Sequence, residues 1–108
     1  MQRLRRQWPF LRSVLQEANR FKRQDLLQHA NADQVNAVSE LVLILLKNKI
    51  PVTPPIVAQL RPYKKVLRDL GRRQHSVKKR RHWLVQQKGP GLLQGLHNVL
   101  CQCVRPIR

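Results

Sequence analysis

Twenty-two Lys and Arg stand against five Asp and Glu, a net charge of +17. This imbalance constrains the chain more than any other feature. Self-repulsion of that size costs stability unless a polyanion neutralises it. A surface that merely solvates a protein normally mixes both signs, so the surplus points outward, to a partner. Nucleic acid is the first candidate and an anionic membrane surface the second.

The charge is unevenly placed. Residues 1–30 carry seven basic and two acidic side chains, and residues 31–60 carry two of each. Residues 61–88 hold eleven basic side chains against Asp69 alone. A neutral middle between basic segments predicts a folded centre with a binding face. The division expected from the sequence is a basic N-terminal arm over 1–8, a helical core over 9–71, a basic helix within 72–88, and a Gly/Pro break with a short amphipathic helix over 89–108.

Apolar residues make up 42% of the 108, enough for a modest core resting on Leu and Val. Their spacing is helical throughout, with no period-2 segment. Pro9 suits a first helical turn, and Leu11, Val14, Leu15 and Ala18 follow at helical intervals. Phe21 extends this stripe, predicting a helix over 9–20, with a continuation through Leu26 and Leu27 to His29 left open. Asn31 and Asp33 are both candidate caps for the next helix. Its stripe of Val35, Val38, Leu41, Val42, Leu45 and Leu46, widened by Leu43 and Ile44, places it at the centre of the core, with Leu41, Val42 and Leu45 buried.

Pro51 ends that helix by disfavouring helical backbone at Ile50, and Thr53-Pro54 restarts one whose buried face includes Ile56, Val57 and Leu60. Pro62 kinks this helix or begins another. Val66, Leu67 and Leu70 continue the apolar face to a stop at Gly71. Ser76 caps a helix from Val77 to about Gln87, Gly89-Pro90-Gly91 breaks the chain, and Leu92, Leu96, Val99 and Cys103 mark the last amphipathic helix. The expected fold is all-α, a small bundle of five or six short helices.

The candidate nucleic-acid-binding residues are Arg61, Lys64, Lys65, Arg68, Arg72, Arg73, Lys78, Lys79, Arg80, Arg81 and Lys88. Lys64, Lys65, Arg68 and Arg72 share one helical face opposite Val66, Leu67 and Leu70. A dry face backed by an almost purely cationic one is what tracking a phosphate backbone needs. Trp8 and Trp83 lie near basic runs, where stacking on bases would suit single strands or RNA; a Trp beside Leu84 and Val85 is more often core.

His97, Cys101 and Cys103, with His75 or His82, match zinc-ligand spacing poorly, and no metal is expected. The C-x-C pair is too close for an unstrained bridge, so a reducing, intracellular setting is expected. Arg3, Arg5 and Arg6 resemble the start of a secretory signal, but Arg12, Glu17 and Arg20 interrupt the apolar stretch such a signal needs, so none is expected. The longest apolar run, Leu41 to Leu46, falls far short of the roughly 20 residues of a membrane span. Phosphate-binding glycine loops, nucleophile elbows and paired carboxylates are missing from the sequence. The reading is a non-enzyme without cofactor or small-molecule substrate.

Val38-Ser39-Glu40-Leu41, Leu45-Leu46-Lys47, Ile50-Pro51-Val52-Thr53-Pro54 and Tyr63-Lys64-Lys65-Val66-Leu67 resemble segments of small basic proteins of adintoviruses and related Polinton-type elements. The order of Lys78-Lys79-Arg80-Arg81, Leu84 to Gly89 and Leu92-Leu93 also resembles adenovirus mu-type core peptide precursors. The resemblance implies a virion core component, or a host-integrated descendant, that condenses double-stranded DNA in the virion or nucleus. DNA is accordingly favoured over RNA. Such precursors are cut at a hydrophobic-x-Gly-x-Gly pattern; Gly89-Pro90-Gly91 supplies the glycines, while Gln87 stands where the apolar residue belongs. Two other readings are a membrane-active precursor, in which 72–88 attracts anionic lipid and 91–104 inserts, and an RNA-binding structural protein of ribosomal type.

Overall fold

A computed structural model describes residues 2–17, 19–47, 53–72, 74–87 and 91–104. The elements are α1 (Gln2–Arg6), α2 (Trp8–Gln16), α3 (Arg20–Gln28), α4 (Ala32–Leu46), α5 (Pro54–Leu60), a 3₁₀ turn (Arg61–Tyr63), α6 (Lys64–Gly71), α7 (Val77–Val85) and α8 (Gly91–Val104). The all-α expectation holds, and the described residues contain no strand. The short helices at the N-terminus raise the count above the five or six expected.

The stretch from Pro9 to His29 is two helices, because Asn19 offers the backbone a better acceptor than helix continuation does. Its side-chain oxygen accepts from Phe21 N at 2.9 Å and Lys22 N at 3.1 Å, an N-cap that starts α3 afresh. The break resets the helical phase. Phe21, expected on the buried stripe, is instead 77% exposed, while α3 buries Leu27 and Arg23.

Asn31 caps α4 through a reciprocal box: it accepts from Gln34 N at 2.9 Å, and its own N–H donates to Gln34 Oε1 at 2.8 Å. The other candidate cap, Asp33, faces α1. Its carboxylate accepts from Arg3 Nε and Arg6 Nη2, each at 3.0 Å, and from Gln7 Nε2 at 2.6 Å. Arg3 also reaches Glu40 at 2.9 Å. These contacts, with the buried Leu4, dock α1 onto α4. Residues 1–8 are therefore not a free arm where the structure describes them.

α4 packs against α1, α2, α6, α7 and α8, and Val35, Ala37, Val38, Leu41 and Val42 are buried. Leu45 departs from expectation in being only half-buried. With the exposed Leu46 and Val57 it lines an open groove of about 410 Å³ where α4, α5 and α6 diverge. Val57, expected inside, stands at this rim for the same reason. The expected helix stop at Pro51 lies outside the described residues; α4 runs to Leu46, with Lys47 as its C-cap.

Thr53 stands at the start of α5 but caps it with its backbone carbonyl alone, which accepts from Ile56 N and Val57 N. Pro62 falls in the 3₁₀ turn that joins α5 to α6, so it kinks the chain. Gly71 ends α6 against α4, where an added Cβ would sit 3.2 Å from Leu43 Cδ2. Gly95 allows a closer approach still: a Cβ there would stand 2.9 Å from Leu60 Cγ, letting α8 lie against α5.

α8 is not an appendage. Leu92, Leu93, Leu96, Val99 and Leu100 are all buried, packed on α2 and α5 and joined to α4. One apolar cluster runs from Leu4 to Leu100, so the core extends well beyond 9–71 in both directions.

Leu41→Ala should cost on the order of 2–5 kcal/mol and visibly lower the thermal midpoint, whereas Leu45→Ala should cost clearly less. Acid should also act on the fold in a defined way. Arg6, followed by Gln7, stabilises ionised Asp33 and brings its pKa from 3.8 down to about 2. A depressed folded-state value contributes stability that is present above about pH 4 and lost as the pH falls toward 2. In melting curves taken across that window, Asp33→Asn should flatten the acid dependence of the midpoint.

Candidate nucleic-acid interface

Part of the cationic surplus is used up within the fold. Arg3 and Arg6 are paired with Asp33 and Glu40. Arg23 is buried and donates to the Glu17 carbonyl at 3.2 Å, where α2 gives way to α3. Arg80 is a correction to the expected binding set. It is 3% exposed, donating from Nη1 to Ser39 Oγ on α4 at 2.6 Å and from Nε to the His75 carbonyl at 3.2 Å. The Lys78–Arg81 run spans a full helical turn, and Arg80 is the member that the turn delivers to α4. Arg81 is half-buried and donates to the Ala30 carbonyl at 2.9 Å, tying α7 to the end of α3.

The largest group of the cations left over lies on α6, α7 and the turn before α6, while the exposed Arg5, Arg12, Arg20, Lys22 and Lys47 stand elsewhere. Arg61, Lys64, Lys65, Arg68, Arg72, Lys78 and Lys79 are all exposed. Among the described residues none of them forms an ion pair. Lys64, Lys65, Arg68 and Arg72 lie opposite the buried Leu67 and Leu70, as their spacing predicts. From Lys64 to Arg72 the backbone rises about 12 Å, a length of three to four nucleotide steps at about 3.4 Å per step. α7 packs on α6, so the two sets of cations sit on neighbouring helices. Arg73 and Lys88 lie outside the described residues.

α7 starts where Ser76 Oγ accepts from Lys79 N at 3.1 Å, as its position before the helix predicts. Between this start and the end of α3 lies an open cleft of about 510 Å³, lined by Gln28, Ser76, Lys78, Lys79, Arg81 and His82. Val85 completes the lining, much of which is apolar, and Lys78, Lys79 and Arg81 give it three cations and no carboxylate, a charge balance suited to an anion. The contribution of Gln28 has no signal in the sequence, since it depends on how α3 docks against α7.

Both tryptophans are half-buried and pack against the core, as the more frequent reading of such residues expects. The Trp83 ring meets His75 edge-on, with centroids 5.0 Å apart. Lys79 Nζ stands 5.5 Å from the centre of the same ring, a cation–π distance that holds this lysine near the cleft.

His97 Nε2 lies 3.6 Å from Cys101 Sγ and 3.3 Å from Gln16 Nε2, while Cys103 falls outside the described side chains. Among the described residues no three His, Cys, Asp or Glu come together in a way that would hold a metal. No described helix is long and apolar enough to cross a membrane. The apolar face of α8, which an inserting helix would turn toward lipid, is taken up by the core.

No family profile, curated protein or solved structure matches the chain.

The two classes of cation should separate under substitution. Arg80→Ala leaves Ser39 without its partner in a buried site, and should cost about 1–3 kcal/mol. Lys78→Ala, at the exposed surface, should stay within about 0.5 kcal/mol of the parent. Chemical denaturation of the two variants side by side checks this.

Proposed function

We propose that the protein binds nucleic acid through its phosphate backbone, as a structural protein and not an enzyme, with Arg61, Lys64, Lys65, Arg68, Arg72, Lys78 and Lys79 as the main contacts. The observation that carries the reading is the contrast between two groups of cations. Arg23 and Arg80, which are buried, and Arg3 and Arg6 of α1 are hydrogen-bonded or paired within the fold. The seven over 61–79 are exposed without an ion-pair partner among the described residues. Arg81 joins them from the cleft wall, and Arg73 and Lys88 belong to the same basic stretch of sequence.

Phosphate contacts position a protein without reading base sequence, so binding of low sequence specificity follows. The resemblance to adintovirus and adenovirus core proteins supports the finer reading: condensation of double-stranded DNA in a virion core, or in a virus-derived element within a host nucleus. Neither metal nor cofactor enters this function.

Salt titration of affinity for a random duplex tests the reading. Log affinity should fall linearly with log salt, with a slope of about −0.9 per phosphate neutralised. With six to ten contacts, affinity should drop roughly a thousandfold or more between about 50 and 200 mM salt. Lys64→Gln, Lys65→Gln and Arg68→Gln together should make the slope shallower by about 2–3. An affinity that hardly changes with salt would overturn phosphate tracking.

A further inference from the structure

The chain has five aromatic residues of the Phe, Trp and Tyr types. Trp8, Phe10, Tyr63 and Trp83 are partly buried and packed on the core. Phe21 alone among them stands out in solvent, 77% exposed. A single exposed phenylalanine is ordinary; its surroundings set this one apart. Arg20 and Lys22 flank it and are themselves exposed, and the Asn19 cap fixes the first turn of α3 beneath it. Seven residues later, two helical turns on and on nearly the same face, comes Gln28, which lines the cationic cleft. The rise between the two is about 10 Å.

α3 and α7 run antiparallel. Gln24 Nε2 donates to the Val85 carbonyl at 3.1 Å, and Arg81 Nε donates to the Ala30 carbonyl at 2.9 Å. The cleft cations and Phe21 are therefore arranged along one helix pair, with the cations at the α7 start and the ring toward its end. Asp25, the one acid on α3, lies between them with His29 Nδ1 at 3.4 Å from its carboxylate.

We infer that Phe21 is a stacking platform for an unpaired base, placed one to three nucleotide steps from phosphates held in the Lys78–Lys79–Arg81 cleft. The inference rests on the nucleic-acid reading above and extends it to single strands. Phosphates alone give no preference for unpaired over paired nucleic acid beyond charge density. An exposed ring flanked by cations supplies one, because every unstacked base offers it a face. Duplex bases are already stacked on each other and cannot use it.

The test compares the full chain with Phe21→Ala and Phe21→Trp on a 20-nucleotide oligothymidine, a duplex of the same length, and an abasic strand carrying the same phosphates. Phe21→Ala should weaken oligothymidine binding roughly 5- to 100-fold with the salt slope unchanged, and should change duplex and abasic-strand binding less than about twofold. Phe21→Trp should retain or raise oligothymidine affinity. The exposure of Phe21 predicts that both variants keep the parent's melting midpoint. Equal losses on oligothymidine and duplex, or no loss on oligothymidine, would overturn the stacking role while leaving the phosphate reading intact. If the parent protein binds none of the three probes in a salt-dependent manner, both readings fall together.

Discussion

Burial of α4 is the condition on which the remaining structure depends. Five other helices pack on it, and its middle third, through Val38, Leu41 and Val42, is sealed from water. The strongly basic α6 and α7 both dock here, each turning apolar side chains inward. The repulsion among their cations has to be outweighed by apolar contact, since hardly any carboxylates are available to offset it. α8 completes the enclosure with five buried side chains and the close contact at Gly95. The candidate interface is thus held up by leucines rather than by ion pairs.

Arginine plays two parts in this molecule, and the difference is geometric. Arg80 and Arg23 project into the body of the fold, where a planar guanidinium with several fixed donors can meet a hydroxyl or a carbonyl. Arg80 spans from α7 to Ser39 on α4 and also ties down the loop at His75. Lys78 and Lys79, its neighbours in the same basic run, remain in water. One turn of helix therefore contributes both a structural tether and part of the candidate interface. Two of the few acids have a similar double effect: Asp33 and Glu40 hold α1 in place, which removes two arginines from the surface surplus.

The candidate interface extends over helices that differ in what they offer an extended anionic ligand. α6 presents a row of cations along one face, suited to following a backbone. The cleft between α7 and α3 is concave and has Lys78, Lys79 and Arg81 in its lining. Phe21 adds an apolar ring at the far end of the same helix pair. On the proposed nucleic-acid reading, an extended chain of phosphates and bases would meet both kinds of group at regular intervals.

Much of this was legible in residue order. Helical spacing of Leu and Val gives the all-α class, Asn31 and Ser76 mark helix starts by their side-chain chemistry, and Lys64, Lys65, Arg68 and Arg72 share a face by periodicity alone. These are local properties, decided within one or two turns of chain. Which helix faces are covered is a different matter. Phe21 fell outside because the Asn19 cap reset the phase of α3, and Leu45 is half-open because α5 and α6 diverge at the end of α4. Arg80 went inside because α7 docks on Ser39, and α8 became core because Gly95 admits Leu60. The sequence by itself determined the helices and the cationic surplus; only the tertiary structure decided which cations are spent on folding and which remain exposed, because burial depends on the docking of segments far apart in the chain.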